Sequence, residues 1–250
     1  MHQQVRAKKH LGQHFLTDHS IAQRIAYSLQ LSAEVLEIGA GMGILTRYLL
    51  QNPMVKSLSV VEIDAEAVDY LRLHFPELTI HQGDFLQMNL RKPISIAGNF
   101  PYNISNQILF KIFADRMMVE EVVGMFQKEV AERITAKEGT KARGILSVLL
   151  SACYRMEYLF TVNEDVFNPP PKVKSAVVRM TRTNISIPCN EVLFQKVVKT
   201  AFNQRRKMLR SALKPLNIPL TALDDDILSK RAEQLSVEEF IMITQKLNNQ

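Results

Sequence analysis

Val35-Leu-Glu-Ile-Gly-Ala-Gly-Met-Gly43 is the stretch that decides the fold. Its first four residues read as a short buried strand, and the apolar spacing of residues 44–51 reads as a helix. The glycines between them let the backbone approach a ligand closely and leave amide N–H groups facing it. A dinucleotide fingerprint would place its last glycine at position 44, where this chain has Ile44. Three glycines at every second position, with Glu37 before them, suit a nucleoside that carries no pyrophosphate.

The same alternation continues outward from this turn. Residues 58–63, 78–80, 94–96 and 122–126 read as buried strands, and residues 65–75, 106–116 and 129–137 as helices. Strand and helix in alternation define an α/β fold, a doubly wound Rossmann-like parallel sheet with helices on both faces. Residues 158–162 and 173–179 read as a terminal β-hairpin around Asn168-Pro-Pro-Pro-Lys172. Beyond position 184 only helical patterns remain: a long basic helix at 191–214, then 224–230 and 237–247. Ser236 and Glu239 form a capping box for the last of these. Two domains are expected, 1–184 and an all-helical 185–250.

Bulk properties narrow the function. The chain has 250 residues, 46% hydrophobic and 22% charged, an ordinary globular composition. Its longest apolar run, Ile145 to Cys153, falls far short of the roughly 20 residues of a membrane span. No secretory signal follows the basic start, and Cys153 and Cys189 fit a reduced cytoplasm better than a disulfide framework. His10, His14 and His19 lack thiolates or carboxylates at fixed spacing, so no metal site is expected. Between Asn190 and Pro215 seven cations face a single anion, Glu191. Arg205, Arg206, Lys207 and Arg210 belong to that cluster; Arg6, Lys8 and Lys9 form another near the start. Such patches mark a polyanion partner, nucleic acid being the common one, although a solvated helix face has the same composition.

Polar residues fall where successive strands end. Glu62 lies nineteen residues past Gly43, where an acid accepts from both hydroxyls of a ribose. Asp84 follows the third strand and is placed to accept from an adenine amine. Asn99-Phe-Pro-Tyr102 follows the fourth. There the Asn99 amide oxygen and the Phe100 carbonyl can accept two hydrogen bonds from one exocyclic amine. Pro101 stiffens the turn, and the Tyr102 ring offers a face to a planar base. An ordinary strand-to-helix turn has the same composition, and each acid alone also reads as a helix cap.

Taken together these motifs resemble the ribosomal RNA adenine dimethyltransferases, and within them the bacterial small-subunit branch. The matching segments are Leu11-Gly-Gln-His-Phe-Leu16, Glu37-Ile-Gly-Ala-Gly-Met-Gly43, Val61-Glu-Ile-Asp64, Gly83-Asp84, Gly98-Asn-Phe-Pro-Tyr-Asn-Ile-Ser105 and Gln127-Lys-Glu-Val130. Phe167-Asn-Pro-Pro-Pro-Lys-Val-Lys-Ser-Ala-Val-Val178 and Ala201-Phe-Asn-Gln-Arg-Arg-Lys207 complete the set. The resemblance implies a methyltransferase domain using S-adenosylmethionine, held by His14, Leu16, Gly39, Gly41, Glu62, Asp84 and Asn99. It implies that Tyr102 and Phe167 sandwich the target adenine, and that Lys8, Lys9, Arg205, Arg206, Lys207 and Arg210 contact RNA. The partner it implies is small-subunit ribosomal RNA within an immature 30S-type particle, met by a cytoplasmic monomer. The chain departs from the family pattern at three places. His14 stands where Asn is usual, Arg143 where Tyr is usual, and Phe100 where Leu is usual.

Four other readings compete, among them a DNA adenine methyltransferase, which the lack of an obvious target-recognition domain disfavours. One is the antibiotic-resistance type acting on large-subunit RNA, which the Ala201–Lys207 segment disfavours. Another is a ribosome-assembly factor whose RNA binding outweighs methylation. The last is a nicotinamide oxidoreductase, against which Ile44 argues.

Overall fold

The computed structural model describes residues 5–31, 33–183 and 186–248. Two compact units are present, Met1–Ala131 with Met156–Arg182 and Glu132–Arg155 with Thr183–Gln250. The cut expected between 184 and 185 falls on residues outside the described set. Residues 132–155, read from sequence as part of the first domain, belong to the second unit.

The first unit is built on one seven-stranded sheet. Its parallel part comprises β2 (Ala33–Ile38), β3 (Val55–Glu62), β4 (Thr79–Gln82), β5 (Ile94–Asn99) and β6 (Val119–Gln127). Two further strands, β7 (Tyr154–Val162) and β9 (Ser175–Arg182), complete it in the order β4-β3-β2-β5-β6-β9-β7. Strand β9 runs antiparallel to β6, with Ser175 opposite Gln127. Strand order reverses at β2, which pairs with β3 on one side and β5 on the other. A crevice opens at such a reversal, beyond the carboxyl ends of the strands. Helices α2 (Ile44–Gln51), α3 (Ala65–His74) and α4 (Ser105–Ala114) cross between strands. Their apolar sides explain why. Ile108, Leu109, Ile112 and Phe113 of α4 are all buried, each contributing about 1.5–3 kcal/mol.

The chain before the sheet is tied down by named contacts. A two-residue strand β1 (Phe15–Leu16) pairs antiparallel with β8 (Phe167–Asn168). Helix α1 (His19–Ala26) is capped by Asp18, whose side chain accepts from Ser20 N and Ile21 N.

The second unit holds α6 (Ile145–Ser151), α7 (Glu191–Asn203), α8 (Leu209–Ala212), α9 (Asp225–Ser229) and α10 (Val237–Asn248); α5 (Lys128–Ile134) spans the division of the units. The long basic helix expected over 191–214 stops at Asn203. Its apolar stripe is Phe194, Val197, Val198, Ala201 and Phe202; the next place on that face is Arg205, so burial no longer supports the helix. After the break Leu209 N donates to Lys230 O at 2.8 Å, and α8 starts. The expected capping box of α10 is present. Ser236 N donates to Glu239 Oε2 at 2.8 Å and Glu239 N to Ser236 Oγ at 3.1 Å.

Candidate active site

A cavity of about 710 Å³, its mouth included, opens at the end of β2 where strand order reverses. Gly39, Gly41, Glu62, Asp84, Asn99, Phe100, Pro101, Tyr102 and His14 all line it, bringing together most of the residues singled out from sequence. Gly41 has φ +54°, and a Cβ there would lie 2.8 Å from the Phe15 ring. The turn is therefore closed to side chains both by its backbone and by its neighbour.

Glu62 is buried, and the backbone N–H groups of Gly41, Ile63 and Asp64 bond to its carboxylate. Gly41 N donates to Oε2 at 3.0 Å and Asp64 N to Oε1 at 2.9 Å. Burial pushes its carboxyl above the usual range, while the backbone N–H bonds pull against that shift. A carboxylate has four lone pairs and three of them face backbone N–H groups, so Glu62 keeps acceptor capacity for the ribose edge. Asp84 accepts Leu86 N on Oδ1 at 2.8 Å, and no donor among the described residues reaches Oδ2. Two apolar walls were missed in the sequence. Ile63, 53% exposed despite its apolar side chain, follows Glu62, and buried Phe85 follows Asp84; both line the cavity. The legible signal was a large apolar residue directly after each strand-end acid. An acceptor for the ribose edge and another for an amine, with apolar walls between them, fit a nucleoside.

Asn99 Nδ2 donates to the His14 carbonyl at 2.9 Å, which leaves Oδ1 as the amide's open acceptor. The Phe100 ring does not face the cavity. It is buried against Phe126, with ring centroids 4.9 Å apart, so only its backbone belongs to the site. The Tyr102 hydroxyl is hydrogen-bonded to buried Ser175, and burial raises its pKa. Tyr102 is therefore a neutral, fixed ring.

Two expectations need correction. Phe167 does not line this cavity. Paired with Leu16 across β1 and β8, it is 4% exposed in a hydrocarbon cluster with Leu16, Ile25 and Leu45. The ring that stacks on Tyr102 is His14. Leu16 shares that cluster and lines a second cavity, of about 940 Å³, alongside Glu37, Gly39 and Asn99. Among the basic residues, Lys8 is turned inward. Its ammonium lies 2.5 Å from buried Asp64 and 3.1 Å from Glu66. Arg210 pairs with Asp225 at 3.0 Å, and Arg205 donates to the Lys141 carbonyl at 2.5 Å. Lys9, Arg206 and Lys207 are exposed with no partner among the described residues. Arg143 is buried in the second unit, where Nε has no hydrogen-bond partner among the described residues.

Glu37 is fully buried on β2 and accepts from Thr46 Oγ1 at 2.6 Å. Burial pushes its pKa from 4.5 up to about 8, so it is protonated at neutral pH. The folded state then keeps a proton that the unfolded chain releases. Its stabilising contribution is whole below about 4.5, declines as pH rises and is gone above about 8. Denaturant midpoints measured from pH 5 to 9 should fall more steeply in the wild type than in Glu37→Gln. Parallel curves would show that Glu37 is ionised.

The crevice at the reversal point, lined by the strand-end acids and Asn99, and an antiparallel strand beyond β6 make this a Rossmann-like methyltransferase fold, as solved structures bear out. A dimethyladenosine transferase from Plasmodium falciparum superposes with TM-score 0.82 at 28% identity, covering 94% of this chain and 98% of that one. The 23S rRNA methyltransferase ErmE shares the fold at TM-score 0.73 and 24% identity, over 94% of this chain and 99% of its own. The chain belongs to the ribosomal RNA adenine dimethylase family, whose sequence model matches residues 4–249. Among curated relatives, ribosomal RNA small subunit methyltransferase A of Flavobacterium johnsoniae is 56% identical over 255 residues, 98% of this chain and 97% of the relative. No helix of the described residues is long and apolar enough to cross a membrane.

Proposed function

We propose that this protein transfers methyl groups from S-adenosylmethionine to N6 of adenine in small-subunit ribosomal RNA, forming dimethyladenosine on adjacent nucleotides during ribosome biogenesis. The observation that carries the reading is the Asn99 amide, held by the His14 carbonyl so that its oxygen stays open beside the nucleoside cavity. The small-subunit assignment over the large-subunit one rests on the 56% identity to a small-subunit enzyme across nearly the full length of both chains.

The cofactor's nucleoside fits Glu62 at the ribose and Asp84 at the adenine amine, between Ile63 and Phe85. When bound, it supplies a methyl group already activated on a positively charged sulfur. The protein's task is to prepare the amine. Adenine N6 is a poor nucleophile because its lone pair is delocalised into the ring. Asn99 Oδ1 and the Phe100 carbonyl accept its two hydrogens, draw the nitrogen toward tetrahedral geometry and stabilise the positive charge that develops there. Positioning of the reacting groups contributes up to about 7–11 kcal/mol in favourable cases. Tyr102 stacks on a base turned out of its helix, offsetting a cost of a few kcal/mol by about 1–3 kcal/mol. Lys9, Arg206 and Lys207 contact phosphates, which orients the RNA and does not read its sequence. The particle bound is an immature 30S-type subunit, met by the monomer in the cytoplasm.

Purified protein with isotope-labelled S-adenosylmethionine should place label in dimethyladenosine, read by nucleoside mass spectrometry, on naked small-subunit RNA or on immature subunits. Absence of that nucleoside from both substrates would remove the enzymatic reading and leave RNA binding as the function.

A further inference from the structure

We propose that His14 is a positioning residue that sets both the amine acceptor and the base platform of the transfer site. The inference rests on the adenine methyltransferase reading of that site and adds to it a residue with a structural task of its own. The backbone carbonyl of His14 accepts Asn99 Nδ2 at 2.9 Å and thereby selects which amide atom is open. The imidazole stacks on Tyr102, with ring centroids 5.4 Å apart and planes inclined by 29°. Its Nδ1 lies 2.8 Å from the Pro169 carbonyl. A carbonyl can only accept, so Nδ1 carries the hydrogen and the ring is held against rotation.

Tyr102 is thus gripped at two points, on its face by His14 and at its hydroxyl by buried Ser175. Pro169, His14, Tyr102 and Ser175 form one chain of contacts, with Asn99 suspended from the same His14 carbonyl. All five residues lie in the first unit. A side chain without a ring at position 14 keeps the backbone bond to Asn99 but leaves the Tyr102 face unsupported. Residue 14 therefore couples the direction of the acceptor to the plane on which the base stacks.

The test compares His14→Ala, His14→Phe, Ser175→Ala and the double variant His14→Ala/Ser175→Ala. Turnover on the RNA substrate and cofactor affinity by calorimetry are measured separately, with every variant confirmed folded by circular dichroism. His14→Ala should lower kcat at saturating cofactor about tenfold, in addition to any loss of cofactor affinity from its place in the cavity wall, and less than the hundredfold that a 1 Å misplacement can cause. His14→Phe restores a stacking ring and should recover most of that loss. The double variant should lose less than the product of the two single losses, because both act through Tyr102. A His14→Ala defect confined to cofactor affinity would overturn the proposal. So would His14→Phe as impaired as His14→Ala, or fully independent losses. Product from the wild type with unaltered turnover in His14→Ala sinks this inference alone, whereas no product from the wild type sinks the transferase reading together with it.

Discussion

Asn99→Ala should reduce the single-turnover rate of methyl transfer by about 10²–10³, the loss expected for one pre-set partner of a developing charge. The side chain is only half-buried, and its hydrogen bond among the described residues is the one from Nδ2 to the His14 carbonyl, so folding should survive the change. Alanine leaves the Phe100 carbonyl as the sole acceptor, and the amine nitrogen loses half of what holds it out of the ring plane. Asn99→Asp keeps an acceptor but puts a carboxylate oxygen against the His14 carbonyl, so it should fall between the alanine variant and the wild type. Quench-flow with radiolabelled methyl donor reads the rate directly. A rate for Asn99→Ala within tenfold of the wild type would mean that the amine is activated elsewhere.

Gly124→Ala should disturb the site from behind by overpacking, at a cost of about 1–3 kcal/mol or more. Gly98 and Gly124 are register partners on β5 and β6, and the Phe100 ring fills the space that their missing side chains leave. A Cβ on Gly124 would stand 2.2 Å from Cε2 of that ring. The ring cannot give way freely because Phe126 packs on it and its exposure is 1%. Backbone 99–102 would then shift, taking the Asn99 oxygen and the Tyr102 ring with it. Gly124→Ala should therefore lower both the thermal midpoint and activity, and Gly124→Ala/Phe100→Leu should regain much of both by relieving the clash. Differential scanning calorimetry with the same rate assay decides it. A stable, fully active single variant would show that the loop is set independently of Phe100.

That dependence marks where the sequence could be read and where it could not. The strand ends were legible because each carries its own local signal. The glycines at 39 and 41, Glu62, Asp84 and Asn99 all follow apolar runs, and topology then gathers them at one crevice. Contacts between distant segments leave no such signal. The Phe100 carbonyl was legible as an acceptor, but the place of its ring was not, because the two strand glycines that admit it are 26 residues apart. Phe167 was assigned to the adenine sandwich by resemblance, yet its pairing with Leu16 buries it. Lys8 counted as a free cation until the fold brought Asp64 within 2.5 Å of it. The extent of α7 was overestimated because the count of cations ignored that Arg205 falls on the apolar face.

If the cavity over the glycine turn takes a nucleoside whose ribose bonds to Glu62, calorimetric titration of S-adenosylmethionine into the wild type and Glu62→Ala should separate the two proteins. The wild type should show one site and no binding of NAD, and the variant an affinity at least tenfold weaker, since losing a hydrogen-bonded charged partner costs about 1.5–3 kcal/mol. Equal affinity in the two proteins would place the cofactor somewhere else and contradict the ribose bond to Glu62.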